Sequence, residues 1–175
     1  MENNTFAKHP TFYAIGLSYK KADAAMRGKF SLDDKAKLNL LHQAKAEGLE
    51  SLIVTSTCNR TEIYGFAQHP FQLIKLLCEN SQGTVEDFQK VAFVYKNKEA
   101  ISHMFRVGTG LDSQILGDFE IISQLKNAFV QSKELNLANA FLERLVNAVI
   151  QASKKIKTDT EISSGATSVS FASVQ

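Results

Sequence analysis

Short apolar runs alternate along this chain with longer stretches whose apolar positions fall three and four residues apart, and their order defines a fold. Residues 12–17 read as an opening strand. A helix follows: Ser31 is placed to cap it, Asp33 and Asp34 suit its first turn, and Gly48 suits its end. Residues 49–55 then read as a buried strand, 56–61 as a polar connector and 62–67 as a return strand, together a hairpin. Pro70 opens the next helix, in which Leu73, Ile74, Leu77 and Cys78 keep helical spacing. Residues 91–95 supply a fourth strand. The order β-α-β-β-α-β predicts an α+β fold, the split-βαβ, ferredoxin-like antiparallel sheet with two covering helices.

Three further helices are expected after the sheet. Ile101, Met104, Phe105 and Gly108 share a face of the first, and Ile121, Ile122, Leu125 and Phe129 a face of the second. The third carries Leu142, Leu145, Val146, Val149, Ile150, Ser153 and Ile156 at core spacing. Residues 158–175 are rich in Ser, Thr and Gly and read as the start of a connection to something beyond. There is no internal repeat and no low-complexity tract.

Composition narrows the function classes more than it selects one. At 175 residues, with 44% hydrophobic and 22% charged side chains, the chain has room for one domain and a short extension. It has no uninterrupted apolar run of about 18 residues, and its first residues lack a signal-peptide core, so a cytoplasmic protein is expected. A formal charge of +2 argues against a large nucleic-acid surface, although part of an RNA is compatible with it. The two cysteines are too few for a disulfide framework, and with the four histidines they show no zinc-ligand spacing.

The densest chemistry lies in the hairpin connector, Ser56-Thr57-Cys58-Asn59-Arg60-Thr61-Glu62. A thiol attacks carbon as its thiolate, and an unperturbed cysteine with a pKa of about 8.5 is only slightly ionised at neutral pH. Arg60 is placed to favour the anion, and neighbouring hydroxyls and loop amides to donate to it. The same residues also fit a partly exposed cysteine in a polar hairpin with no chemistry at all. His103 lies about 200° around its helix from Ile101, which reads either as a solvated surface histidine or as a pocket residue able to orient a substrate or move a proton. Cys78 reads as a small core residue, and Lys154, Lys155 and Lys157 as a solvated helix end. Gly108-Thr109-Gly110 begins like a dinucleotide fingerprint, but Ser113 stands where the third glycine belongs and a helix precedes it, so it is not read as a nucleotide site.

Thr57-Cys58-Asn59-Arg60 followed by Thr61-Glu62-Ile63-Tyr64 resembles the signature of the glutamyl-tRNA reductases, the NADPH-dependent enzymes that begin tetrapyrrole (porphyrin) synthesis. A second block agrees in order and distance: His103 through Ser113, then Ile115-Leu116-Gly117 and Gln124-Leu125-Lys126. A third, Lys157-Thr158-Asp159-Thr160-Glu161-Ile162 with Ser168 to Ala172, is similar to the family's join to its cofactor domain.

The resemblance implies that residues 1–157 form a catalytic domain and that 158–175 begin the connection to an NADPH-binding domain outside this chain. It implies Cys58 as the nucleophile toward glutamyl-tRNA(Glu), forming a glutamyl thioester that hydride reduces to glutamate-1-semialdehyde. It further implies that Thr57, Asn59, Arg60, Ser113, Asp118, Glu120 and Gln124 bind the glutamyl group, with His103 in a catalytic role, no metal, and a homodimer for the full-length enzyme. Arg60 suits a substrate carboxylate because its fork donates two parallel hydrogen bonds. Asp118-Phe119-Glu120 stands where the family more often has Glu-Pro-Gln, and Ser18-Tyr19 where many relatives have Asn-His. Two other readings remain: a non-enzymatic ferredoxin-like RNA-binding module using Phe93 and Tyr95, and a thiol esterase acting on aminoacyl esters.

Overall fold

A computed structural model describes residues 9–113 and 120–174, with side chains as far as residue 160. Four strands form one sheet: β1 (Thr11–Ser18), β2 (Leu52–Ser56), β3 (Arg60–Ala67) and β4 (Phe93–Lys96). Their order is β2-β3-β1-β4, every neighbouring pair antiparallel. This is the ferredoxin-like split-βαβ arrangement that the order of elements predicts. Seven helices accompany it among the described residues: α1 (Ala24–Lys29), α2 (Asp34–Ala46), α3 (Pro70–Glu79), α4 (Val85–Val91), α5 (Lys98–Gly108), α6 (Glu120–Glu134) and α7 (Ala140–Val174).

Local chemistry sets the helix boundaries, and in places moves them from the expected positions. Helix α2 is capped by Asp33, not Ser31, because the Asp33 carboxylate accepts the Ala36 N–H at 2.7 Å. Gly48 follows its end at φ +86°, a conformation glycine adopts without the Cβ penalty. Pro70 does open α3, with His69 as cap and Gln72 completing a capping box. Residues 91 and 92, expected in the fourth strand, belong instead to the end and cap of α4, so β4 starts at Phe93. Helix α7 runs on through the expected connector at 158–174. No proline interrupts that stretch, and a single glycine costs a helix only about 1 kcal/mol.

Alternation along the strands sorts side chains to two covered faces. Ile15, Leu17, Leu52, Val54 and Ile63 pack with Leu40, Leu41, Leu73 and Leu77 of α2 and α3. Phe12, Ala14, Ile53 and Tyr64 face the opposite way, onto Met104, Leu125, Phe129, Val146 and Val149 of α5, α6 and α7. The last three helices thus close the second face of the sheet. Between β1 and β3 the backbones come so close at Gly16 that a Cβ there would lie 2.2 Å from the Thr61 carbonyl oxygen. This draws the hairpin end of β3 against β1, just below the candidate site.

Candidate functional site

The β2–β3 hairpin is tighter than the sequence pattern predicts. Arg60 and Thr61, expected in the polar connector, already pair in β3 with Ser18 and Leu17 of β1. That leaves Thr57, Cys58 and Asn59 as the turn, closed by the Thr57 N–H donating to the Arg60 carbonyl at 2.8 Å. Within it the Asn59 N–H donates to Thr57 Oγ1 at 3.2 Å. From outside, the Tyr19 N–H donates to the Asn59 carbonyl at 2.9 Å, and Arg27 Nε to the Cys58 carbonyl at 3.0 Å. The loop backbone is therefore held on several sides while the Cys58 side chain stands exposed to solvent.

Beside it lies a cavity of about 290 Å³ lined by Ser56, Thr57, Cys58, Asn59, Arg60, Ser113, Glu120, Ile121 and Gln124. Six residues named from sequence, together with Cys58, thus come together from the hairpin, the segment just after α5 and the first turns of α6. Asp118 lies outside the described residues. A volume near the lower end of ligand cavities suits a group the size of one amino-acid side chain.

Beneath the cavity is a buried ionic network. The side chain of Arg60 is 4% exposed, and its Nη1 lies 3.1 Å from Asp112 Oδ2 and 3.5 Å from Glu62 Oε2. Its Nη2 also donates to the Asp112 backbone carbonyl. Burial opposes the guanidinium charge, but Glu62, and after it Asp112, outweigh this and hold the pKa above its usual value. Burial alone would raise Asp112; hydrogen bonds from Lys20 and Arg60 prevail, and its carboxyl sits below the usual range. Glu62 is fully buried, accepts the Tyr64 hydroxyl at Oε1 at 3.0 Å, and contacts His103 Nε2 through Oε2. Burial first, then Glu62, pushes the Tyr64 hydroxyl well above its ordinary pKa.

Where it puts His103 is the main departure from expectation. A solvated surface position is wrong: the residue is 3% exposed and belongs to the buried face of α5 with Ala100, Met104 and Val107. Nor does it line the cavity with Cys58; it reaches that site through Glu62 and then Arg60. Its ring packs against Phe93, Tyr95 and Tyr64, with centroids at 4.5, 5.1 and 6.1 Å. Phe93 and Tyr95 are thereby engaged under α5, so they do not present the open aromatic sheet face that an RNA-binding module would need. Glu62 and Asp112 are the functional-site residues that the sequence reading passed over. Glu62 was legible by alternation, as a charged position between Arg60 and Tyr64 on one face of a strand.

The sequence profile of the family described as "Glutamyl-tRNAGlu reductase, N-terminal domain" matches residues 15–160. The chain belongs to this family. It is 83% identical over its whole length to a protein named glutamyl-tRNA reductase from Flavobacterium psychrophilum, covering 42% of that protein. It is 74% identical, again over its whole length, to "Glutamyl-tRNA reductase 2" of Flavobacterium johnsoniae, covering 40% of it. The chain therefore spans about two fifths of these relatives. In fold it is similar to the glutamyl-tRNA reductase structure from Methanopyrus kandleri, with a TM-score of 0.71 over 87% of this chain and 35% of that one, at 24% identity.

The family name raises the question of a nicotinamide cofactor, and the Gly108-Thr109-Gly110 segment does not fit one. At Gly108 an added Cβ would lie 2.2 Å from Val149 Cγ1, so this glycine makes room for α7 and not for a pyrophosphate. Thr109 spends its hydroxyl on the Phe105 carbonyl at 2.6 Å. Cys78 packs against the first core, with burial and then Asp87 raising its pKa. Lys154, Lys155 and Lys157 are exposed on α7. Among the described residues no helix is long and apolar enough to cross a membrane.

Proposed function

We propose that this chain forms the glutamyl thioester in a glutamyl-tRNA reductase, with Cys58 as the nucleophile. The observation that carries the reading is an exposed cysteine on a tightly held turn, at the edge of a small polar cavity that also contains a buried arginine. The Cys58 thiolate attacks the carbonyl carbon of the ester joining glutamate to tRNA. The carbon–sulfur bond forms, the carbon–oxygen bond to the terminal ribose breaks, and the tRNA leaves as its hydroxyl after taking up a proton. A thioester carbonyl is less resonance-stabilised than a carboxylate, so the covalent step makes the later reduction accessible.

Arg60, Thr57, Asn59, Ser113, Gln124 and Glu120 line the space the glutamyl group would take, and the guanidinium supplies the positive charge that a glutamate side chain needs. Asp118 is assigned to the same group by its place in the family motif alone. The hydride comes from NADPH held by residues other than those described, and the product in the full enzyme is glutamate-1-semialdehyde, entering tetrapyrrole synthesis in the cytoplasm. The full enzyme acts as a homodimer.

Without a hydride donor, the solvent exposure of Cys58 supports a second outcome, in which water takes the thioester and releases glutamate. The test follows deacylation of glutamyl-tRNA by this chain, measured as free tRNA. Deacylation is expected with the native chain and is lost in Cys58→Ser. A serine variant that deacylates as fast as the parent contradicts the reading.

A further inference from the structure

The cavity contains Arg60, but what fixes Arg60 lies below it. Glu62 has no exposed surface and stands at the centre of a fan of donors: Tyr64 to Oε1, Arg60 to Oε2, and His103 Nε2 against the same Oε2. With Tyr64 and Arg60 both donating, Glu62 is the acceptor, and the Nε2–H tautomer of His103 donates to it. The His103 ring cannot swing away, since Phe93, Tyr95 and Tyr64 surround it and its own exposure is 3%. On the far side, Asp112 holds the same guanidinium and is itself gripped by Lys20.

We infer that Glu62 is a positioning residue for the glutamyl pocket, locked by His103, and that His103 acts on the reaction only through Glu62 and Arg60. This rests on the reading of the cavity given above. Asp112 holds the guanidinium at Nη1 through its carboxylate and at Nη2 through its backbone carbonyl, both from the segment after α5. The carboxylate of Glu62, on β3 two residues from Arg60, adds a second anchor to Nη1 from the strand itself. Glu62 can do so only if its own oxygens are held, because buried carboxylates are costly unless their lone pairs are satisfied. Tyr64 takes one oxygen and His103 the other. His103 is one strand residue and one guanidinium removed from the cavity, so a proton passed directly to substrate is not what its position offers.

The inference separates His103→Gln from His103→Ala. A glutamine amide can still donate to Glu62 from near the imidazole Nε2 position, but it cannot carry a proton; alanine can do neither. In the 175-residue chain, His103→Gln is expected to keep thioester formation from glutamyl-tRNA close to the parent. His103→Ala and Glu62→Gln are expected to raise the glutamyl-tRNA concentration needed for half-maximal rate, on the order of 100-fold, as for a displaced substrate-binding group. Exhaustive iodoacetamide labelling of Cys58 is expected to reach completion in all three, since its end-point reads access to the sulfur and not its ionisation.

A second readout needs no reaction. The guanidinium NMR signals of Arg60 should be restricted in the parent and in His103→Gln, and mobile in His103→Ala and Glu62→Gln. Loss of maximal rate in His103→Gln as large as in His103→Ala, or an Arg60 equally restrained in all the variants, overturns the inference. Absence of thioester in the parent together with the expected NMR pattern would fault the proposed function and leave the positioning assignment supported.

Discussion

On one face of the sheet, Ile15, Leu17, Leu52, Val54 and Ile63 pack in a cluster with apolar residues of α2, α3 and α4. On the other, β3 changes character along its length: Phe66 and Tyr64 join the second core, whereas Glu62 and Arg60, nearer the turn, join an ionic network. Ile15, Leu17, Glu62 and Arg60 are all buried, so the difference is not one of exposure. Burying a charged group is expensive and often adds nothing to stability over an apolar replacement. The first face is what stability alone selects. The charged end of the second face lies at the turn that carries Cys58, where Arg60 lines the same cavity.

The largest effect expected on this contrast comes from Arg60→Ala. It leaves Glu62 and Asp112 buried without their shared cation, and urea unfolding should show a loss of about 3–5 kcal/mol. Leu73→Ala, in the apolar face, should cost about 3 kcal/mol by the same measurement, from lost burial and the cavity left behind. The two differ in a second readout: Leu73→Ala should leave the half-saturating glutamyl-tRNA concentration unchanged, whereas Arg60→Ala should abolish saturation.

A smaller effect is expected along the pH axis. The folded pKa of Asp112 lies below its unfolded value, so its contribution is complete above the ordinary carboxylate range and is lost as pH falls through the lowered folded value. Asp112→Asn should remove that part of the acid-side slope in a pH series of thermal unfolding, and an unaltered slope would contradict the pairing. Smallest of all is Lys20→Ala. Its side chain is 54% exposed, so calorimetry should find a change below about 1 kcal/mol, reduced further by added salt.

Much of the sheet was legible because apolar alternation and turn residues mark strands whose faces are both buried. What stayed hidden had weak patterning. Helix α1 buries none of its residues, so it leaves no apolar stripe to read. Helix α4 buries only Phe88, and its last residues look like the start of a strand. The cavity-lining set came from likeness to a family, since no spacing rule brings Ser113 and Gln124 beside Cys58. The helical wheel put His103 off the apolar face because that face was centred on Ile101, whereas the buried face of α5 runs through Ala100, Met104 and Val107, where a buried carboxylate receives the imidazole. That partner comes from another element, and helix periodicity carries no information about it.

The exposure of Cys58 on its turn predicts that this one sulfur takes the glutamyl group from tRNA. The most direct test is acid-quenched mass spectrometry of the peptide bearing Cys58 after brief mixing with glutamyl-tRNA. A glutamyl adduct on that peptide, labile to hydroxylamine and missing in Cys58→Ser, is the predicted result. An unmodified Cys58 peptide while the same sample deacylates the tRNA, or an adduct on any other residue, would contradict it.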